Sequence, residues 1–223
     1  MQRKYSFTPE NYYHIYNRGI EKRAIFIDRK DYERFLIYLY LCNNISPVDI
    51  RNLYSKGLSF AEIMSISRKD TLVEIGAYCL MPNHVHLLVR EKKDGGITNF
   101  TKKLFTGYSM YFNKKNQRTG RLFENIFKAE YINQDRYLKY LFVYIHLNPV
   151  KLIEPQWKEK GIKNFKKVEE FLNHYPWSSF HLYNKNLPDS IIDKKNFPEY
   201  FENSKEFKVF LDDWLNFTKD RPL

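Results

Sequence analysis

Two hydrophobic periods alternate along the chain. Asn11-Tyr12-Tyr13-His14-Ile15-Tyr16-Asn17 alternates and is rich in β-formers, which predicts a strand. Arg18-Gly19-Ile20-Glu21-Lys22-Arg23 follows as a basic loop. Asp31 to Cys42 carries Phe35, Leu36, Leu39 and Tyr40 at helical spacing behind an acidic start, which predicts a helix. Residues 43–71 keep neither period: Asn43-Asn44 and Pro47 stop the helix, and Ser59-Phe60-Ala61-Glu62-Ile63-Met64 suggests a short helical insert. An apolar run from Leu72 to Leu80, the turn signal Pro82-Asn83 and a second apolar run predict a tight hairpin with strands over 72–80 and 84–90. Glu91 to Gly96 is a charged loop, and Ile97 to Asn113 reads as a helix bearing Lys102, Lys103, Tyr108 and Tyr111. A basic turn over 113–121 leads to a strand over Phe127–Ile132, with Lys128 and Glu130 on one face. Asn133 can cap a last helix running through Asp135 to about Leu147, which Asn148-Pro149 ends because proline disfavours helix in the residue before it.

The order strand, helix, insert, strand, strand, helix, strand, helix predicts an α+β fold: a ferredoxin-like antiparallel sheet packed with helices. The main domain is expected over residues 1–152, with an insert at about 43–71. Beyond Lys151 the pattern is broken, and Trp157, Trp177-Ser178-Ser179-Phe180 and Trp214 anchor short pieces. Residues 153–223 are expected as a mainly helical or irregular C-terminal extension packed on the main domain.

His84 and His86 stand two apart in the second hairpin strand, so they share a face opposite Val85, Leu87 and Val89. A single strand histidine is more often a packed or surface residue. Two side by side on a rigid strand suit a divalent metal that needs an open site. Tyr137, Leu141, Tyr144 and Asn148 fall on one helical stripe. Such aromatic stripes commonly belong to cores, and Asn148 at the polar end is the odd member.

Charge changes the picture further. The 223 residues carry a formal net charge of +11, which favours a polyanionic partner. Tyr and Phe number 18 each, interleaved with Lys and Arg, and rings beside cations are what single-stranded nucleic acid needs. Arg18, Lys114 and Lys128 are candidates for phosphate contacts, and Tyr16 or Phe123 for stacking a base in competition with core packing. Cys42 and Cys79 lack metal-type spacing and read as reduced core thiols. No apolar run approaches about 18 residues, so no membrane span is expected. The polar start carries no secretory signal, which points to a cytoplasmic, nucleoid-associated protein.

Several stretches together resemble the single-tyrosine HUH (His-hydrophobe-His) transposases, and more closely the REP-associated tyrosine transposases related to the IS200/IS605 group. They are Tyr13-His14-Ile15-Tyr16-Asn17-Arg18-Gly19, Met81-Pro82-Asn83-His84-Val85-His86-Leu87-Leu88, Tyr111-Phe112-Asn113 with Gly120-Arg121-Leu122-Phe123, Tyr144-Ile145-His146-Leu147-Asn148-Pro149-Val150, and Trp177-Ser178-Ser179-Phe180. They follow the family's order over roughly residues 10–183. The resemblance implies a ferredoxin-like fold and a Mg²⁺ or Mn²⁺ ion held by His84 and His86, with Asn148 as third ligand where many relatives have Gln. It implies Tyr144 as the nucleophile on single-stranded DNA beside a hairpin or palindromic repeat, and a monomer or homodimer.

Elementary chemistry agrees with that implication. A phenol with a pKa of about 10 is a poor nucleophile without a neighbouring cation or base. A metal would polarise the scissile phosphate. Neutral imidazoles must bind it, so activity is expected to fall as they protonate near about pH 6. Tyr108, Tyr111, Tyr137 and Tyr140 are rival nucleophiles. Two other readings stay open: a non-catalytic module that grips single-stranded nucleic acid, and a hydrolase that uses a metal-bound water.

Overall fold

The computed structural model describes residues 6–185, 187, 189–197 and 209. Among these, β1 (Tyr12–Arg18), β2 (Val73–Met81), β3 (His84–Glu91) and β4 (Lys128–Ile132) form one antiparallel sheet in the order β2-β3-β1-β4. α1 (Arg29–Leu41) follows β1, α2 (Ile50–Ser55) and α3 (Phe60–Met64) fill the insert, α4 (Gly96–Lys115) joins β3 to β4, and α5 (Asp135–Leu147) follows β4. With the insert set aside, this is the expected ferredoxin-like α+β order. Three short helices complete the described chain: α6 (Trp157–Lys160), α7 (Phe165–His174) and α8 (Phe180–Asn184). No described helix is long and apolar enough to cross a membrane.

Both faces of the sheet are covered, so every residue of β2 is buried and its sequence reads as an unbroken apolar run. Val85, Leu87 and Val89 pack with Phe35, Phe100, Leu104 and Tyr108 of α1 and α4. Ala77, Cys79, Met81 and Leu88 pack on the other side with Leu141, Phe142 and Ile145 of α5. This second core continues into Trp157, Val168, Leu172 and Phe180. His84 and His86, four and two residues before Leu88 on β3, therefore lie on the α5 side of the sheet.

The hairpin turn is tied down from outside. The Pro82 carbonyl accepts from the amides of Ile25 (2.8 Å) and Phe26 (3.1 Å), and the Asn83 carbonyl accepts from Gly19 (2.9 Å). A Cβ on Gly19 would sit 2.4 Å from the Arg23 carbonyl oxygen, so only glycine lets the 19–26 segment close over the turn. The outer edge of β2 is covered rather than left open: the Leu80 amide donates to Trp177 O at 2.8 Å, and the Ser179 amide donates to Tyr78 O at 3.0 Å. Tyr175 Oη adds a bond to Leu80 O at 2.7 Å. Trp177-Ser178-Ser179-Phe180 thus anchors the chain as the sequence suggests, while Trp214 lies outside the described residues.

Three local expectations need correction. α1 begins at Arg29, because Asp28 accepts from the Asp31 amide and acts as the cap. Asp31 does supply the acidic first turn, but it is buried and bonded by Lys115 Nζ (2.6 Å), Tyr111 Oη (2.9 Å) and the Ile27 amide (2.8 Å). α5 has Gln134 at its N-cap with no side-chain cap bond, so Asn133 does not cap it. The first-turn carboxylate of Asp135 complements the helix dipole there. α2 left no periodic signal because only Ile50 of its six residues is buried.

Candidate active site

Three strands and one helix bring the candidate residues together. Arg18 pairs with His84 and Tyr16 with His86 across β1 and β3, while His14 pairs with Glu130 and Tyr16 with Lys128 across β1 and β4. Side chains at His14, Tyr16, His84, His86, Lys128 and Glu130 all lie on the α5 face. The rings of His84 and His86 stand 5.0 Å apart at 89°. The Tyr144 ring meets His86 edge-on at 5.6 Å and His14 at 6.3 Å. Tyr144 and Asn148 share one helical face, as their spacing requires.

Hydrogen bonds orient each donor. His84 Nδ1 lies 2.6 Å from Asn83 Oδ1 and so carries the proton, which leaves Nε2 as a lone pair. Asn148 Nδ2 donates to the Tyr144 carbonyl at 2.8 Å, which leaves its Oδ1 free to act as an acceptor or ligand. The Asn148 side chain faces His84. His86 Nδ1 lies 2.9 Å from His14 Nε2, and His14 Nδ1 faces Glu130 Oε2 at 3.9 Å. Tyr16 Oη (2.8 Å) and Tyr137 Oη (3.0 Å) donate to the two oxygens of that carboxylate. The nearby His14, then the hydrogen bond from Tyr16, hold Glu130 ionised down to about pH 2. An anionic Glu130 favours the proton on His14 Nδ1; His86 Nδ1–H then donates to His14, and His86 keeps a lone pair on Nε2. Carboxylate-to-imidazole chains of this kind fix ligand tautomers in metal sites.

These donors, two nitrogens and an oxygen, fit a borderline divalent ion such as Mn²⁺ better than one that takes oxygen alone. Two imidazole nitrogens and one amide oxygen leave coordination positions for phosphate oxygens. Among the described residues no three His, Cys, Asp or Glu side chains gather as a metal-ligand set. If the Glu130–His14 chain orients His86, His14→Ala should weaken Mn²⁺ binding about 10- to 100-fold. The Mn²⁺ concentration for half-maximal activity measures this, and an unchanged value would remove the chain from the site's function.

The electrostatics revise the expected pH response. Burial, then the positive charge of Arg18, lowers His84 to about 4, with Lys151 and Lys158 acting in the same direction. Burial, then His14 and His84, pushes His86 well below the usual imidazole value. The acid limb of activity is therefore expected near pH 4 rather than near pH 6. Burial also lowers His146 to about 3, where its Nε2 meets Ser179 Oγ at 2.7 Å in the second core. All three imidazoles stay neutral in the fold but take a proton near pH 6.5 when unfolded. Stability should thus be level above that value and decline as pH falls from 6.5 towards 4, by up to about 1.4 kcal/mol per pH unit for each group. Glu130 adds its loss only lower, between its ordinary range and about pH 2. Thermal melts across this range test the sign, and a flat curve between pH 6.5 and 5 would contradict it.

The structure also sorts the remaining candidates. Tyr108 is fully buried on the opposite face with its hydroxyl on Ile25 O at 2.5 Å, and Tyr111 bonds Asp31. Tyr137 is engaged with Glu130, and Tyr140 stacks on Tyr144 at 6.1 Å. Arg18 is exposed beside His84, and Lys128 Nζ lies 5.8 Å from the Tyr16 ring centre, at the site's edge. Lys114 is exposed in the last turn of α4, on the other face of the sheet, and is not brought to the histidines. Phe123 packs in the first core against Phe105, whereas Tyr16 borders the site.

Sequence reasoning missed two residues. His14 lies within a strand whose alternation already sets it beside Tyr16, but its neighbour on the next strand depends on strand order. Lys158 donates to Tyr144 Oη at 3.3 Å and lies 4.3 Å from that ring's centre. Nothing in its broken local pattern marks it, apart from the adjacent Trp157.

Among solved structures, a REP-associated tyrosine transposase bound to a REP hairpin is similar over 89% of this chain and 96% of its own, with 14% identity and a TM-score of 0.48. No curated protein sequence matches the chain. The family model described as transposase, IS200-like, matches residues 9–148, from just before β1 to Asn148 itself. That span is more than half of the chain and holds every strand of the sheet, both paired histidines and Tyr144, so the chain belongs to the IS200-like transposases, enzymes that cut and rejoin DNA.

Proposed function

We propose that this transposase is a metal-dependent single-stranded DNA transesterase acting next to hairpin or palindromic repeats through a 5′-phosphotyrosine on Tyr144. The observation that carries this reading is the edge-on approach of the Tyr144 ring to His86 at 5.6 Å, one helical turn from Asn148, whose Nδ2 donates to the Tyr144 carbonyl at 2.8 Å and leaves Oδ1 facing His84. His84, His86 and Asn148 would hold Mg²⁺ or Mn²⁺. When bound, the ion polarises the scissile phosphate and neutralises its developing charge.

The chain's own residues do the rest. Arg18 and Lys128 hold flanking phosphates at the rim, and Tyr16 offers a ring beside them. Lys114, on the α4 side, serves a segment of DNA that continues round the sheet. Tyr144 Oη attacks the phosphorus and the bond to the 3′-oxygen breaks. The phenol proton ends on that oxygen, which leaves a free 3′-OH and DNA joined to Tyr144 through its 5′-phosphate. Another 3′-OH reverses the exchange at a new junction and returns a proton to Tyr144. The ester keeps the phosphodiester energy, so no nucleotide is consumed. Tyr144 and the histidines of one chain already meet, which supports action in cis, so that a monomer suffices and a homodimer is not required for chemistry.

The test is incubation with a hairpin-bearing DNA strand and Mn²⁺, followed by denaturing electrophoresis. A protein–DNA adduct that survives detergent supports the reading. Cleavage without any adduct would point to a metal-bound water, and tight binding with no cleavage would leave a nucleic-acid holder.

A further inference from the structure

We propose that Lys158 is a catalytic cation for Tyr144: its ammonium stabilises the phenolate as the nucleophile forms and again as Tyr144 is expelled in rejoining. This rests on the phosphotyrosine reading above, but Lys158 lies outside the matched residues 9–148. A segment beyond the family's core would thus complete the reaction centre.

The geometry supports a charge role. Lys158 Nζ is 3.3 Å from Tyr144 Oη, within hydrogen-bond reach of the reacting atom. The Glu130 carboxylate on this face of the sheet accepts from Tyr16 and Tyr137 and faces His14, so it does not compete for the ammonium. The backbone that carries Lys158 is held on both sides. Trp157 is 1% exposed in the second core, and its amide donates to Glu154 O at 3.1 Å. The Glu154 carboxylate in turn accepts from the amides of Lys163 (2.9 Å) and Asn164 (3.3 Å). A cation pre-positioned in this way costs no reorganisation at the moment of reaction.

The charge stays on Lys158 throughout. On cleavage the Oη–P bond forms, the P–O3′ bond breaks, and the proton passes from the phenol to the 3′-oxygen. Rejoining runs the same exchange backwards. Lys158 gives up no proton in either direction.

Lys158 also lies over the Tyr144 ring, at 4.3 Å, so a packing role must be separated from a charge role. The experiment compares Lys158→Met and Lys158→Arg with the parent, using a hairpin-bearing strand and Mn²⁺ in single turnover. Methionine keeps most of the stem and removes the charge, whereas arginine keeps the charge. At saturating DNA, Lys158→Met should form adduct roughly 100-fold more slowly, with DNA affinity within about threefold of the parent. Rejoining should slow by a similar factor, and Lys158→Arg should recover most of both rates. A methionine variant at parental rate would overturn the proposal, as would a loss confined to DNA affinity or an arginine variant as slow as methionine. In those cases the parent still forms the adduct, so the phosphotyrosine reading survives. A parent that forms none would bring down both.

Discussion

Tyr144→Phe should lower covalent capture of DNA to background while DNA binding stays within about threefold of the parent. The substitution removes one oxygen and keeps the ring, which stacks on Tyr140 at 6.1 Å and meets His86 at 5.6 Å. Lys158 loses a half-buried acceptor, at a cost within about 1 kcal/mol of stability. With the nucleophile gone, three of the rival tyrosines are already engaged elsewhere. Tyr137 is bound to Glu130, and Tyr108 and Tyr111 lie under the opposite face. The expected fall in cleavage is therefore large, roughly 10⁴-fold or more, as for removal of other covalent nucleophiles. A labelled hairpin strand run on a denaturing gel reads the result. Adduct persisting in this variant would move the role to another tyrosine, with Tyr140 the first to examine.

The second large effect is expected from His86→Ala, which should match the effect of EDTA on the parent. His86 is buried against His14, His84, Tyr16 and Tyr144, and it is the one imidazole tied to the Glu130–His14 chain. Removing it takes away a candidate ligand and strips His14 Nε2 of its partner. We expect cleavage at fixed Mn²⁺ to fall by about 10² or more, with stability lower by about 1–3 kcal/mol for the unpaired group. An Mn²⁺ titration of adduct formation, with a melt of the same variant, separates the two losses. Parental activity in EDTA would remove the ion from the mechanism, and the same activity in His86→Ala would remove the ligand.

Strand and helix periods were legible because they are local. The hairpin shifted by a single residue at its ends, and the helix bearing Tyr144 ends at Leu147 as expected, although Asn148 keeps helical geometry and opens a 3₁₀ turn over Asn148–Leu152. The α1 start and the α5 cap were less legible, because a polar residue near a helix start can serve either the cap or a distant partner. Asp31 went to Lys115 and Tyr111, which lie 80 or more positions away. α2 was invisible because a short exposed helix has no apolar stripe to display.

The candidate site divides in the same way. His84 and His86 are paired by the two-residue pleat, and Tyr144 and Asn148 by the helical turn, so each pair belongs to the sequence alone. Their meeting belongs to the tertiary structure, because it depends on α5 crossing the sheet face on which the histidines lie. Strand order alone set His14 and Glu130 behind His86. The packing of Trp157 alone carried Lys158 to the Tyr144 hydroxyl. Periodicity specifies which side chains share a face. Which faces are brought together, and with what depressed basicity, is decided only when the chain buries its apolar surface.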